Sequence, residues 1–393
     1  MKVQGFQFST VEAAIKKPGR LDLAMIFSAV PADVAAVFTT NRVKAAPVLL
    51  SMERVGKGKA RAIVVNSGNA NACTGGQGMM DARETARLAA AAADIAEDSV
   101  LVASTGVIGK PLPMERIRGS IPGLVEGLSH GTLDDIARAI MTTDTFPKME
   151  SVQGETGGTT YTLAGIAKGA GMIMPNMATM LSFLITDAAV EPEWLAQVFR
   201  RAVDSSFNII SIDGDTSTND TAILMANGMA GNPTLVPGAP EAERFEELLR
   251  HVLLSLARQI VHDGEGATKF VEIKVVGASS DADARAAAMA VANSLLVKTA
   301  FFGQDANWGR ILAAVGYSGA EIDQDRVALS FDDVLMVRDG VFVGGDAEEM
   351  GTEVLRKKEF SVTVDLRLGH GNATVYTSDL SHEYVSINAD YRT

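Results

Sequence analysis

The chain has 393 residues, of which 47% are hydrophobic and 21% charged. This composition is typical of globular proteins and excludes a disordered chain, and the length predicts two or three domains or two closely packed halves. Asp and Glu number 48 against 35 Lys and Arg, which gives a net charge of −13, and no basic run is long enough to follow a phosphate backbone. We therefore expect no nucleic-acid partner.

A single cysteine, Cys73, excludes an intramolecular disulfide framework and indicates a reducing compartment. No histidine lies near it in the sequence, so we interpret it as a packed small residue and not as a nucleophile. The first twenty residues contain no sustained apolar segment, and nowhere do 18 apolar residues run together. We expect a cytoplasmic protein that does not bind membranes.

Short apolar runs alternate with helical patterns through the first third of the chain, and this alternation is typical of an α/β fold. The runs are 62–65 and 100–103, and the helical patterns follow them at 79–95 and 113–128. Thr132, with Asp135 three residues later, predicts the N-cap of a short helix that continues to about Met141.

Strand patterns rich in Gly and Thr dominate from Lys148 to Gly171, and helical and strand patterns alternate afterwards. The predicted helices flank the predicted strands, so we expect a sheet covered by helices. The later helices are predicted at 194–203, 240–261, 281–296 and 348–356, and the strands at 207–212, 270–276 and 362–366.

The common sequence motifs for binding cofactors and metals are absent, because required residues are missing at the required positions. Pro111 stands where a phosphate loop needs Ser or Thr, and Gly169 and Gly171 lack the third glycine of a dinucleotide fingerprint. His382 begins a zinc-helix pattern, but Ser386 stands where the second histidine belongs. We predict no metal and no bound cofactor.

Three acidic residues, Asp213, Asp215 and Asp220, lie close together in the segment DGDTSTND. Their spacing and the absent final glutamate do not match a calcium-binding loop. We interpret them as structural residues or as part of a substrate loop.

The segment from Lys168 to Asp187 reads KGAGMIMPNMATMLSFLITD, in which a Gly-rich loop leads through Thr179 into an apolar run. The simpler interpretation is a loop before a buried strand. The alternative is that the Thr179 hydroxyl attacks the carbonyl group of Ala178, so that the chain is cut between them. The freed amine of Thr179, with an ordinary pKa of about 7.7 to 8.0, then serves as a general base without histidine.

At this point the sequence resembles a known family, the ornithine acetyltransferases, also called bifunctional glutamate N-acetyltransferase and amino-acid acetyltransferase. The resemblance extends along nearly the whole chain. It rests on NSGNANACTG (66–75), STGVIG (104–109), MTTDTFPK (141–148), KGAGMIMPNMATML (168–181), DGDTSTND (213–220), DGEGATKF (263–270), GQDANWGRI (303–311) and the C-terminal NADYRT.

The resemblance implies a self-processing N-terminal-nucleophile enzyme with a layered α/β sandwich and a smaller C-terminal α/β domain. Residues 1–178 become an α chain and residues 179–393 a β chain; about 179–280 complete the core domain and about 281–393 form the C-terminal domain. The implied reaction is ping-pong. Thr179 takes the acetyl group from N2-acetyl-L-ornithine and passes it to L-glutamate in arginine biosynthesis.

The family's oxyanion hole corresponds to Thr105 and Gly106, directly after a predicted strand. Its substrate-binding positions correspond to Thr142, Lys168, Thr179, Glu265, Asn388 and Thr393. The hydroxyl groups of Thr143 and Thr145 are equally suitable alternatives to that of Thr142. We add two hypotheses from charge alone, namely that Glu265 pairs with the ornithine ammonium group and Lys168 with an α-carboxylate.

Two other functions stay open at the level of the sequence. One is a hydrolase or aminopeptidase of the same self-processing fold, with water in place of glutamate; the other is a binding protein for acidic amino acids. The sequence also leaves open whether acetyl-CoA is an acetyl donor. By resemblance we expect a heterotetramer of two α and two β chains.

Overall fold

The computed structural model describes residues 2–174 and 180–390. This part of the chain forms two compact units. The first unit comprises residues 2–172, 180–208 and 215–260, and the second comprises 173–174, 209–214 and 261–390. Each unit combines one sheet with helices, so the prediction of a mixed α/β fold is confirmed.

The strands, numbered in chain order, are β1 (Phe6–Val11), β2 (Leu23–Phe38), β3 (Lys59–Asn69), β4 (Val100–Val107), β5 (Lys148–Thr156), β6 (Thr159–Lys168), β7 (Leu181–Thr186), β8 (Ile210–Ser211), β9 (Thr221–Ala226), β10 (Phe270–Ala278), β11 (Ala328–Phe331), β12 (Val334–Arg338), β13 (Val341–Phe342), β14 (Glu359–Asp365) and β15 (Gly371–Ser378). The α-helices are α1 (Ala46–Val55), α2 (Gly75–Ala93), α3 (Met114–Glu126), α4 (Leu133–Ala139), α5 (Pro192–Asp204), α6 (Pro240–His262), α7 (Asp281–Asn293), α8 (Leu295–Phe302), α9 (Trp308–Gly316), α10 (Ala347–Arg356) and α11 (His382–Ala389).

The sheet of the first unit has the strand order β4-β3-β2-β9-β7-β6-β5, with β1 paired to β2. The long β2 joins its two halves, since its first part pairs with β3 and its last part with β9, and the register shifts between Phe27 and Ala32. Apolar side chains from both halves, such as Ile63 of β3 and Phe183 of β7, share one core. The sheet therefore folds over on itself at β2.

Helices cover the outer faces of this folded sheet. The Ala-rich α2 packs with α3 against β3 and β4, where Ala86 and Ile117 join the core around Val64. On the other half, Gly165 of β6 lets α6 approach closely, because a Cβ there would lie 3.1 Å from a methyl carbon of Leu256. The first unit is therefore a layered α/β sandwich, as the sequence predicted.

The sheet of the second unit has the order β13-β12-β11-β14-β10-β15-β8. The Ala-rich face of α7 packs on it in a core that includes Ala284, Ala288 and Ile273. Because β10 pairs with β14 and β15, residues 270–278 belong to this unit, ahead of the start near residue 281 that the sequence suggested.

The N-cap prediction for α4 is confirmed, because Thr132 and Asp135 form a reciprocal capping box. The single helix predicted at 281–296 is wrong: α7 ends at Asn293, and Ser294 caps a new helix, α8. The strand predicted at 207–212 is reduced to a 3-10 turn and the two residues of β8.

The packed position predicted for Cys73 is also wrong. Cys73 is exposed and has a positive φ of 56°, because it lies in the turn that leads into α2. In residues 2–174 and 180–390, we find no helix with both the length and the apolar character that spanning a bilayer requires.

Candidate active site

Thr105 and Gly106 lie at the end of β4, next to the end of β3. Gly106 has a φ of +135°, and a Cβ at this position would lie 2.3 Å from the carbonyl carbon of Gly68. Only glycine therefore fits where the two strands approach each other. Thr105 is buried, with 5% of its surface exposed. The two predicted oxyanion residues thus lie on a closely packed strand end.

Buried amide side chains that were not predicted as site residues hold this strand end. Asn219 donates from Nδ2 to the carbonyl oxygens of Ala70 (2.7 Å) and Ser104 (2.8 Å). The Ser104 hydroxyl donates to Asn66 Oδ1 (2.6 Å), and Asn66 Nδ2 donates to the carbonyl oxygen of Asn69 (2.8 Å). The asparagines of NSGNANACTG and DGDTSTND therefore act as supports for this strand end, and their concentration in two short motifs was the available signal.

Lys168, the last residue of β6, lies beside this strand end. Its side chain is almost fully buried, and Nζ donates to the hydroxyl oxygens of Thr142 (2.9 Å) and Thr105 (3.4 Å). The folded sheet thus brings together three of the predicted site residues from distant parts of the chain. A buried ammonium group beside two hydroxyl groups and the glycine-containing end of β4 is suited to binding a carboxylate or a developing oxyanion.

Asp144 anchors this cluster from the loop after α4. Its carboxylate accepts from Lys148 Nζ (2.7 Å), Gly169 N (2.6 Å) and Thr142 N (2.9 Å), and it lies 3.9 Å from Lys168 Nζ. Burial by itself disfavours the charged form, but the charges of Lys168 and Lys148 and these hydrogen bonds outweigh it. The pKa of Asp144 is therefore lowered to about 2. Neither Asp144 nor Lys148 was predicted from the sequence as a site residue.

The choice between Thr142, Thr143 and Thr145 was open in the sequence. Thr142 is the residue whose hydroxyl group bonds to Lys168, and its amide is bound by Asp144. Thr143 is half-buried, and Thr145 is exposed. The geometry therefore favours Thr142 as the residue of this loop that faces the cluster.

Ala178 and Thr179, the predicted cleavage residues, lie outside the described residues, as does Thr393, so these assignments stay predictions. Met180 is the first residue described after them, and it is buried at the entrance of β7. Its N–H donates to Asp220 Oδ1 (3.0 Å), and its carbonyl oxygen accepts from Thr221 N (3.1 Å). Leu181, the next residue, pairs directly with Lys168.

Glu265 and Asn388 belong to the second unit and contact each other there. Asn388 Nδ2 donates to Glu265 Oε2 (2.7 Å) and also to the carbonyl oxygen of Tyr384 (3.0 Å). Glu265 is 9% exposed, and within the described residues its carboxylate meets a neutral amide and no cation. Two of the predicted substrate-binding positions are therefore in contact, and their binding role stays a prediction.

The loop that carries Glu265 is held by residues that sequence reasoning missed. Gly266 has a φ of +66°, and its carbonyl oxygen accepts from the Ser381 hydroxyl (2.6 Å). Asp379 accepts from the amides of Thr268 (2.8 Å) and Lys269 (3.0 Å). The loop and the start of α11 therefore form one hydrogen-bonded assembly.

The described residues contain no group of three or more His, Cys, Asp or Glu side chains arranged to hold a metal ion. Two of the acidic residues of DGDTSTND instead accept hydrogen bonds from protein groups. Asp213 accepts from Ile173 N (2.8 Å) and from the Tyr384 hydroxyl (3.2 Å), and Asp220 binds Met180. A structural role for these two aspartates was one of the two interpretations drawn from the sequence.

Comparison with known proteins places this arrangement in a family. The model of the ArgJ family matches residues 7–393. The arginine biosynthesis bifunctional protein ArgJ of Geobacter sulfurreducens is 72% identical to this chain over 393 residues, which cover the full length of both. The protein of the same name from Syntrophotalea carbinolica is 56% identical over 393 residues, again over the full length of both.

The fold agrees with a solved structure of the same family. The crystal structure of arginine biosynthesis bifunctional protein ArgJ from Bacillus halodurans is 39% identical, with a TM-score of 0.50, and the match covers 52% of this chain and 95% of that chain. The sequence motifs, the layered sandwich and the full-length relatives agree, and the chain belongs to the ArgJ family.

Proposed function

We propose that this protein transfers the acetyl group of N2-acetyl-L-ornithine to L-glutamate through an acetyl ester on Thr179. Membership of the ArgJ family makes it an acetyltransferase of arginine biosynthesis. The observation that carries the assignment of the site is the buried cluster of Thr105, Thr142 and Lys168, in which Lys168 pairs with the second residue after Thr179. This cluster offers the donors that acyl transfer needs.

The proposed nucleophile arises by self-cleavage. The Thr179 hydroxyl attacks the carbonyl carbon of Ala178, the peptide C–N bond breaks, and an ester forms while the Thr179 amine is released. Water then hydrolyses the ester, so that Ala178 leaves as a carboxylate. The new α-amine lies on the nucleophilic residue itself and supplies the general base that a lone hydroxyl lacks.

Transfer follows in two half-reactions. The amine takes the hydroxyl proton as Thr179 attacks the acetyl carbonyl of N2-acetyl-L-ornithine, and it returns the proton to the departing amine of ornithine. The neutral amine of glutamate then attacks the acetyl ester, which frees the threonine hydroxyl. In both steps a negative charge develops on the acetyl oxygen. We assign its stabilisation to the Thr105 hydroxyl and the Gly106 backbone amide.

We assign each charged group of the substrate to a residue of opposite charge. We assign the α-carboxylate to Lys168, supported by the Thr142 hydroxyl, because this ammonium group is buried and lies between two hydroxyl oxygens. The free ammonium group of ornithine is assigned to Glu265, with Asn388 orienting its carboxylate. Thr393 is retained as a further binding position on the family resemblance alone.

Several finer points belong to the same proposal. We propose that the enzyme works in the cytoplasm, needs no cofactor, and assembles from two α and two β chains. The relatives are named bifunctional proteins, which supports acetyl-CoA as a second acetyl donor to glutamate. An incorporation assay with labelled acetyl-CoA and glutamate, without N2-acetyl-L-ornithine, tests this second activity, because labelled N-acetylglutamate forms only if the donor is accepted.

The decisive experiment compares the wild-type chain with Thr179→Ala. On a denaturing gel, wild-type protein is expected to give two bands, from residues 1–178 and 179–393, whereas Thr179→Ala stays intact. Release of ornithine from N2-acetyl-L-ornithine is expected to require glutamate in the wild type and to be lost in the variant. Thr179→Ser is the matched control, because serine keeps the hydroxyl group and is expected to cleave.

Normal cleavage of Thr179→Ala would overturn the assigned nucleophile. Ornithine release that ignores glutamate would instead favour the hydrolase alternative, because water would then be the acceptor.

A further inference from the structure

Asp220 is a fully buried carboxyl group that the proposed chemistry does not use. It is 0% exposed and ends the loop before β9. Since β7 and β9 are parallel neighbours that begin in register, with Leu181 opposite Thr221, the residues just before them also lie side by side. This register brings Asp220 to Met180.

Both backbone polar groups of Met180 form hydrogen bonds. Asp220 Oδ1 accepts its N–H (3.0 Å), and Thr221 N donates to its carbonyl oxygen (3.1 Å). The carbonyl oxygen of Asp220 itself accepts from Thr39 N (3.0 Å), which ties the residue to β2. Asp220 is therefore fixed by the sheet and in turn fixes the amide at the entrance of β7.

The nitrogen atom that Asp220 binds is covalently bonded to the carbonyl carbon of Thr179. A group that fixes this nitrogen atom therefore limits the movement of the residue that precedes it in the chain.

We propose that Asp220 is a positioning residue for the Thr179 nucleophile, acting through the Met180 amide that follows it. This inference rests on the proposed function, because it takes Thr179 as the reacting residue. Small displacements of a nucleophile are costly, since the reacting atoms must be held about 3 to 3.5 Å apart in a near-attack geometry.

A second feature of Asp220 sets it apart from an ordinary backbone anchor. Its Oδ2 is buried and has no hydrogen-bond partner in the described residues. Burial raises the pKa of Asp220 well above its usual value, outweighing the hydrogen bonds to its side chain and the Lys168 charge, which lower it. Burial therefore favours the neutral form of this carboxyl group.

Neutrality suits the proposed role. A carboxylate next to the Thr179 amine would favour its ammonium form and so oppose its action as a base. A neutral acid supplies the acceptor oxygen for Met180 without that charge. Asparagine has the same shape, the same acceptor and no charge, so it is expected to replace Asp220.

The test compares Asp220→Ala with Asp220→Asn and with a matched control at the other end of β7. Asp187 is also a buried aspartate that binds backbone amides, those of Thr162 (2.7 Å) and Gln4 (2.9 Å). At about 3.3 Å per residue it lies roughly 20 Å from Met180. Asp187→Ala therefore removes a similar anchor without touching the nucleophile.

For each variant, the half-time of self-cleavage, kcat, KM for N2-acetyl-L-ornithine and the thermal midpoint are measured. Asp220→Ala is expected to slow cleavage and to lower kcat at least tenfold, with KM changed less than threefold. Asp220→Asn is expected to restore both rates to within threefold. Asp187→Ala is expected to lower the thermal midpoint with kcat within threefold of the wild type.

Wild-type cleavage and kcat in Asp220→Ala, or equal losses of kcat in Asp220→Ala and Asp187→Ala, would overturn the positioning role. If Asp220→Ala does not fold, Asp220→Glu replaces it, because it keeps the acid and displaces it by one methylene; an unchanged kcat there overturns the proposal. These results are distinct from failure of the proposed function, which appears as cleavage or activity in Thr179→Ala.

Discussion

The cluster around Lys168 in the first unit and the Glu265 loop in the second unit differ in whether a charged side chain has a counter-ion. Lys168 and Lys148 both lie near the carboxylate of Asp144, whose pKa falls to about 2, so the cluster contains its own counter-ion. Glu265 meets a neutral amide from Asn388 and no cation in the described residues. The first arrangement is held together by ionic contacts, whereas the second leaves a negative charge for a ligand.

This difference has a physical consequence. A fully buried ion pair is expensive to break, because removing one partner leaves the other charge buried and uncompensated. A carboxylate that is bonded only to an amide loses little structure when it becomes neutral. Removing a charge from the Lys168 cluster should therefore lower stability, whereas removing the charge of Glu265 should weaken substrate binding. The three predictions below are ordered by decreasing effect, and the second concerns an uncharged donor of the cluster.

The largest effect is expected on stability, for Lys148→Met. Both side chains of the Lys148–Asp144 pair are 0% exposed, and their contact is 2.7 Å long. Methionine is a linear side chain of similar length. It removes one of the two ammonium groups near Asp144 and leaves that of Lys168, at 3.9 Å. We expect a loss of about 3 to 5 kcal/mol of folding free energy, measured as a lower thermal midpoint in the uncleaved Thr179→Ala chain. The same measurement on Glu265→Gln is the control and should show little change.

A thermal midpoint for Lys148→Met that equals that of Glu265→Gln would remove the distinction between the two regions.

The next effect is expected on turnover, for Thr105→Val. The Thr105 hydroxyl oxygen accepts from Lys168, which leaves its own hydrogen available to donate to an oxyanion. Valine keeps the shape and the backbone amide but removes that donor, so kcat is expected to fall roughly a hundredfold, or about 2.7 kcal/mol. KM for N2-acetyl-L-ornithine should change less than threefold, and Thr105→Ser should retain most of the activity.

A loss confined to KM would instead assign Thr105 to substrate binding.

The smallest effect is expected on affinity, for Glu265→Gln. Glutamine still accepts from Asn388 but no longer attracts an ammonium group, so KM for N2-acetyl-L-ornithine is expected to rise about tenfold, equivalent to about 1.4 kcal/mol. Steady-state kinetics should show kcat within threefold of the wild type. A fall in kcat with KM unchanged would place Glu265 in the chemical step and weaken the contrast with the first unit.

Much of the local structure and several site residues could be read from the sequence. Apolar periodicity predicted many of the helices, among them α2, α3, α5 and α6, but it did not predict the long β2 or β9. Thr132 with Asp135 predicted an N-cap that the structure confirms as a capping box. The motifs around Thr105 and Lys168 also identified residues that the structure brings together. These successes share a cause, since element type, caps and glycine turns depend on residues a few positions apart.

Tertiary structure alone decided the long-range contacts of the buried acids. Asp144 bonds to Gly169 because β5 and β6 are paired, and Asp220 reaches Met180, 40 residues away, because β7 and β9 start in register. No local pattern encodes the surroundings that lower the pKa of Asp144 and raise that of Asp220. Long-range strand pairing, neighbouring charges and exclusion of water set both shifts, so the sequence by itself determined where the chemical groups stand along the chain, and the fold decided their distant partners and the direction in which their pKa values move.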